Sequence, residues 1–97
     1  MFYNGDKKYR LKEALFMSRV FDSKRIEMGD RIRTLRKRRV GSQAEFAEKL
    51  DVSVITVSRI ENGMTKIDAE LLIRMSEVLH VPVDLILGLE QQENLMW

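Results

Sequence analysis

At 97 residues, 44% of them hydrophobic and 33% charged, the chain has an ordinary folded composition and the length of one domain with one modest core. With no cysteine and a single histidine it offers no disulfide framework, no thiolate chemistry and no histidine-rich metal site, so neither metal nor cofactor is expected. Net charge is only +2, yet residues 1 to 39 carry 13 Lys and Arg against 5 Asp and Glu while residues 40 to 97 carry 4 against 10, so the basic character is confined to the first part of the chain.

No apolar run approaches the about 18 to 20 residues of a membrane span, and the opening MFYNGDKKYR lacks a signal peptide's apolar stretch. The default expectation is a cytoplasmic protein with no membrane contact. Residues 1 to 22 hold Phe2, Tyr3, Tyr9, Phe16 and Phe21, five of the seven aromatics. Lys7 to Phe21 contains neither Gly nor Pro, and Leu11, Ala14 and Leu15, with Phe16 and Val20 adjoining, make a broad apolar stripe. A helix is predicted from about Asp6 to Phe21. Its stripe either folds back on the chain's own core or forms a contact with a second subunit, so residues 1 to 27 form an extension to the main domain.

Asp22 and Ser23 are candidate caps, separating that helix from a second one. In KRIEMGDRIRTLRKRR, the residues Met28, Ile32 and Leu35 recur at spacings of 4 and 3, which predicts a helix from about Gly29 to Arg39 with one apolar and one strongly basic side.

The stretch SQAEFAEKLDVSVITVSRIENG, Ser42 to Gly63, is the most informative in the chain. Ser42 with Glu45 three residues on is a capping box, which starts a helix at Gln43. Phe46, Ala47 and Leu50 form its inward face, and Asp51 supplies a left-handed turn residue. Val52 plugs the turn, Ser53 caps a second helix, and Val57 and Ile60 point inward before that helix ends near Asn62-Gly63. Two short helices joined by so tight a turn form a helix-turn-helix. Further on, Asp68 caps a scaffold helix with Leu71, Leu72, Met75, Val78 and Leu79 at core spacing. His80 is its end residue rather than a ligand. Pro82 then opens a short helix, Val83 to Leu87, closed by Gly88. The tail, residues 90 to 97, ends on the apolar Leu95, Met96 and Trp97.

Met28 to Leu89 resembles the lambda-repressor-like, or xenobiotic-response-element, helix-turn-helix regulators of bacteria and phages. The resemblance is carried by Gln43, Ala47, Val57, Ile60 and the run SRIENG from Ser58 to Gly63. It implies an all-α, five-helix DNA-binding domain over residues 28 to 89, with its motif at 43 to 62 and an extra amino-terminal helix. In this family glycine more often stands one position before Gly41, which puts the turn ahead of Ser42 in doubt but not the motif.

By the same resemblance Val54, Ile55, Ser58 and Arg59 face base edges in the major groove. Val54 and Ile55 are outward apolar residues, for which thymine methyl groups are the natural partners. Arg59 suits either a guanine or a phosphate. Gln43, in the first turn of its helix, is a phosphate clamp, with Ser53, Thr56, Asn62 and Lys66 as further phosphate donors. Ser53 is equally explained as a cap. Arg36 pairs in the family with a glutamate where Glu61 stands, as a structural ion pair. The resemblance thus implies a transcriptional regulator, most simply a repressor, bound as a homodimer to a near-palindromic stretch of double-stranded DNA. The rival readings are an antitoxin or partner-controlled regulator, with a protein partner on the amino-terminal helix, and an interaction module without DNA binding. No phosphate-binding glycine loop, nucleophile elbow or paired metal ligands point to catalysis.

Overall fold

The computed structural model of the chain describes residues 7–89. Among these residues all regular structure is helical: α1 Lys7–Arg39, α2 Gln43–Leu50, α3 Val54–Glu61, α4 Ala69–Leu79 and α5 Val83–Leu87. The five-helix, all-α architecture expected from the sequence is present. The predicted start at Asp6 and the apolar tail, Leu95 to Trp97, lie outside the described residues.

One boundary differs from expectation. Asp22 and Ser23 do not separate two helices, since α1 runs unbroken for 33 residues, about 50 Å at 1.5 Å per residue. Asp22 cannot act as a cap because its carboxylate accepts from Arg25 one turn on, within the helix. Gly29 is helical too, and its missing side chain has a reason. A Cβ there would stand 2.6 Å from the carbonyl oxygens of both Ile60 and Glu61, so α1 crosses the end of α3 at backbone distance. Gly63 completes the crossing: it takes the left-handed φ of +71° that ends α3, and a Cβ on it would meet the backbone of Ile26 at 2.8 Å.

The core lies entirely downstream of that crossing. Ile32, Phe46, Ala47, Leu50, Val57, Ile60, Met75, Leu79, Val81 and Ile86 are buried, with Met28, Leu35 and Leu72 among the half-buried residues around them. α1 packs against α3, α4 and α5, and α4 backs α2, so the α2–α3 pair is held from behind with one side of α3 left open. Asp51 and His80 end α2 and α4 in the left-handed conformation, at φ of 60° and 58°. Both serve as helix-end residues, as their positions implied.

Arginines close the C-terminal ends of helices. Arg31 donates to the carbonyl of Ile86 at 2.9 Å, Arg74 to that of Leu50 at 2.8 Å, and Arg36 to that of Gly41 at 2.7 Å. The first two are places where the last carbonyls of a helix lack intrahelical donors and the dipole favours a cation, and the third ties down the turn after α1. Upstream of the crossing α1 projects without such support. Leu11, Leu15, Phe16 and Phe21 are all more than half exposed, so among the described residues these side chains do not pack on the chain's own core.

Candidate nucleic-acid interface

Ser42 adopts the extended backbone of an N-cap; its hydroxyl accepts from the amide of Glu45 at 3.1 Å and its own amide donates to the Glu45 carboxylate at 3.0 Å. These bonds hold the Glu45 carboxyl below the usual carboxylate range, the Ser42 backbone contact contributing most. The turn tightens through Val52, whose amide donates to the carbonyl of Ala47 at 3.0 Å. Ser53 then caps α3, accepting from the Thr56 amide at 3.1 Å while the two hydroxyls share a bond of 2.9 Å.

With Val57, Ile60 and Glu61 turned inward, the 3.6-residue repeat leaves Ile55 and Arg59 on the opposite side and Ser58 on the flank, while Val54, seven residues before Glu61, is open because it stands in the first turn. Ile55 is 63% and Val54 44% exposed. Of the four expected base-facing residues, Val54, Ile55 and Arg59 are exposed on α3 and Ser58 is half-buried. Lys66 stands exposed in the loop after α3, and Ser53 is exposed beside the helix start.

Behind this face lies a buried polar cluster. The Arg36 guanidinium grips Glu61 with two bonds, Nε to Oε2 at 2.5 Å and Nη2 to Oε1 at 3.0 Å. Arg36 is 6% and Glu61 1% exposed. The Gln43 amide donates to the same Glu61 Oε1 at 3.0 Å, and Arg33 approaches it at 3.5 Å. Burial by itself raises the Glu61 pKa, but the bonds from Arg36 and Gln43 and the charges of Arg36 and Arg33 outweigh it and hold the carboxyl below its ordinary value. The expected ion pair is therefore present, bidentate, and joined by two further residues.

The five residues expected to meet phosphates do not all stand free. The Gln43 side chain is engaged with Glu61, as just described. Asn62 donates to the carbonyl of Ser58 at 2.9 Å and accepts from Arg33 at the same distance, so it works as the end of α3. Arg33 was not singled out from the sequence, because alternating charges on a helix do not show which one faces a neighbouring helix end. Its contacts with Glu61 and Asn62 give it a place in the cluster. Met64, 73% exposed in the loop after α3, also escaped notice, since an isolated methionine has no periodicity to mark it. Among the described residues the exposed cations nearest the motif in sequence are Lys37, Arg38, Arg39, Lys49, Arg59 and Lys66. No cluster of three or more candidate metal ligands occurs among the described residues.

Two short helices at a tight turn, an outward residue set on the second and a buried arginine–glutamate pair behind it define a helix-turn-helix unit. The helix-turn-helix family model matches residues 32–86, more than half of the chain, and the protein belongs to this family of lambda-repressor-like DNA-binding regulators. No curated protein and no solved structure is significantly similar to the chain. Among the described residues no helix is long and apolar enough to cross a membrane.

Proposed function

We propose that the protein is a sequence-specific DNA-binding regulator that lays α3 in the major groove and represses transcription by occluding a promoter, its own included. The observation carrying this reading is the exposure of Val54 and Ile55 beside Arg59 on the face of α3 that the core leaves open. Exposed branched apolar residues at the start of a recognition helix have a natural partner in thymine methyl groups, and Arg59 supplies either guanine recognition or a phosphate contact. Ser58 completes the reading face.

Phosphate contacts fall to Lys66, Ser53, Thr56 and the backbone amide of Gln43 at the positive end of α2. The Gln43 side chain, held by Glu61, orients that helix end. Two copies bound to successive major grooves, about 34 Å apart, require a near-palindromic operator. The site works inside the cell, where DNA is found.

Fluorescence anisotropy on a duplex from upstream of the protein's own gene, beside a shuffled duplex, tests the reading. A preference of about 10³-fold or more is expected at moderate salt. Arg59→Ala weakens operator binding, and Ile55→Ala narrows the preference between duplexes while leaving the melting temperature unchanged, because both side chains are exposed. Equal binding to both duplexes contradicts self-repression, and no binding at low salt contradicts the DNA-binding reading.

A further inference from the structure

Upstream of the core, α1 carries a second surface that the DNA-binding reading leaves unused. The inward row of the domain, Met28, Ile32 and Leu35, continues at alternating spacings of 4 and 3 through Arg25, Phe21, Ser18, Ala14 and Leu11, a heptad spacing whose upstream apolar members are Phe21, Ala14 and Leu11. Downstream of Met28 the row is covered by the chain's own helices, while upstream it is bare, with Leu11 and Phe21 exposed at 62 and 54% and the flanking Leu15 and Met17 at 56 and 43%. Where covered and bare parts meet, a cleft of about 530 Å³ opens between Phe21, Arg25 and Met28 on the helix and Lys66 and Ile67 on the loop after α3. Arg25 Nε is the one buried side-chain nitrogen there without a hydrogen-bond partner among the described residues. A single helix standing away from a core has little to hold it, because most helical stability in proteins comes from packing of an apolar face.

We infer that this row is the subunit contact, and that its occupant is the same row of a second copy, running antiparallel. The inference rests on the DNA-binding reading only for the need of two half-sites. Direction follows from the fold. A parallel partner would bring its own α3 and α4 to the side already filled by the first chain's domain, because in each chain the domain sits on that same row. An antiparallel partner brings only its amino-terminal turns there, into the cleft.

Register follows from the sequence. In an antiparallel pair, first and fourth heptad positions alternate across the seam. Setting Leu11 opposite Phe21 of the second copy places Ala14 opposite its Ser18, two small residues that let the helices approach closely at the centre. Leu15 and Met17 then meet their own counterparts on either side of the two-fold axis, so that apart from the small Ser18 the centre of the contact is apolar. The shared length, Lys7 to Arg25, is about 27 Å of helix, and half the lateral surface of two such helices, each about 11 Å wide, is on the order of 1,000 Å². That lies at the lower edge of specific interfaces, so the dimer is expected to dissociate on dilution. The same register separates the two α1–α3 crossings at Gly29 by about 40 Å, the scale of one turn of B-DNA.

Absence of native cysteine makes the arrangement testable with the full chain. Sedimentation equilibrium should show a reversible dimer, and Leu15→Lys, which sets like charges against each other near the axis, should raise its dissociation constant at least about tenfold. Circular dichroism of Leu15→Lys should retain the folded domain, since Leu15 lies outside the core. A mixture of Leu11→Cys and Phe21→Cys chains should form the mixed disulfide under a glutathione buffer, and neither variant alone should cross-link. The proposal is overturned by a monomer at about 100 µM, by a dimer that Leu15→Lys leaves intact, or by self-linking of Leu11→Cys, which marks a parallel pair. Binding of each variant to duplex DNA, measured in parallel, keeps the two readings apart. A monomeric wild type that still binds operator overturns only the contact, and a cross-linked dimer that ignores DNA overturns only the regulator.

Discussion

Glu61 is fully buried, charged and surrounded by three donors, which gives one side chain unusual weight in a protein this small. Removing its guanidinium partner by Arg36→Met leaves a carboxylate stranded away from water and should destabilise the fold by about 3–5 kcal/mol, measured by urea denaturation. The combined Arg36→Met, Glu61→Leu variant should be closer to wild type, because no charge is left unpaired. Acid sensitivity follows from the same group. A carboxyl whose folded pKa lies below its unfolded value of about 4.3 contributes stability that is complete above that value and is lost as pH falls through the folded pKa. The urea midpoint should therefore hold steady from neutral pH down to about 5 and fall below about 4, and Glu61→Gln should flatten that acid limb. A midpoint as acid-sensitive in Glu61→Gln as in wild type would contradict the assignment. The pair was legible in the sequence through the family likeness. Its enlargement by Gln43 and Arg33 was not, because side-chain hydrogen bonds between different helices leave no periodic trace.

At the level of the helices, α2, α3, α4 and α5 could be read closely from the sequence since each carries its own stop and start: Ser42 with Glu45, Asp51, Ser53, Asp68, His80, Pro82 and Gly88. α1 was misjudged at one point because Asp22 and Ser23 have the chemistry of caps, and only the pairing of Asp22 with Arg25 shows that it is used inside a helix. Gly29 illustrates the converse. In an isolated helix, alanine in place of glycine stabilises by about 1 kcal/mol. Here Gly29→Ala puts a methyl group against two carbonyl oxygens at the α1–α3 crossing, and the expected net result is a loss of about 1–3 kcal/mol. Thermal or urea denaturation checks the sign, and a stabilised Gly29→Ala would show that α1 yields at the crossing without cost.

Among the described residues the molecule combines a small five-helix core around a helix-turn-helix, to which the second half of α1 contributes Ile32, with the first half of α1 projecting from it. The bare side of α3, with Ile55 and Arg59 on it, was legible because the 3.6-residue repeat of Val57 and Ile60 fixes which side the core takes; the exposure of Val54 was not, since it depends on the first turn standing clear of the core. Part of the basic surplus of α1 has another use, visible only in three dimensions. Arg31, Arg33 and Arg36 bind backbone carbonyls at helix ends and in the turn after α1, so net charge overstates how many cations are left for DNA. The protein is accordingly expected to show a moderate rather than steep fall of DNA affinity with salt, which scales with the phosphates actually neutralised.

The central claim, that the open face of α3 reads DNA sequence, is tested most directly by selecting binding sites for the full-length protein from a pool of random duplexes. The account predicts enrichment of two inverted half-sites with centres about one helical turn apart, each containing thymine at a position whose preference Val54→Ala or Ile55→Ala relaxes. A pool that remains random after repeated rounds at low salt, with a protein shown to be folded, would contradict it.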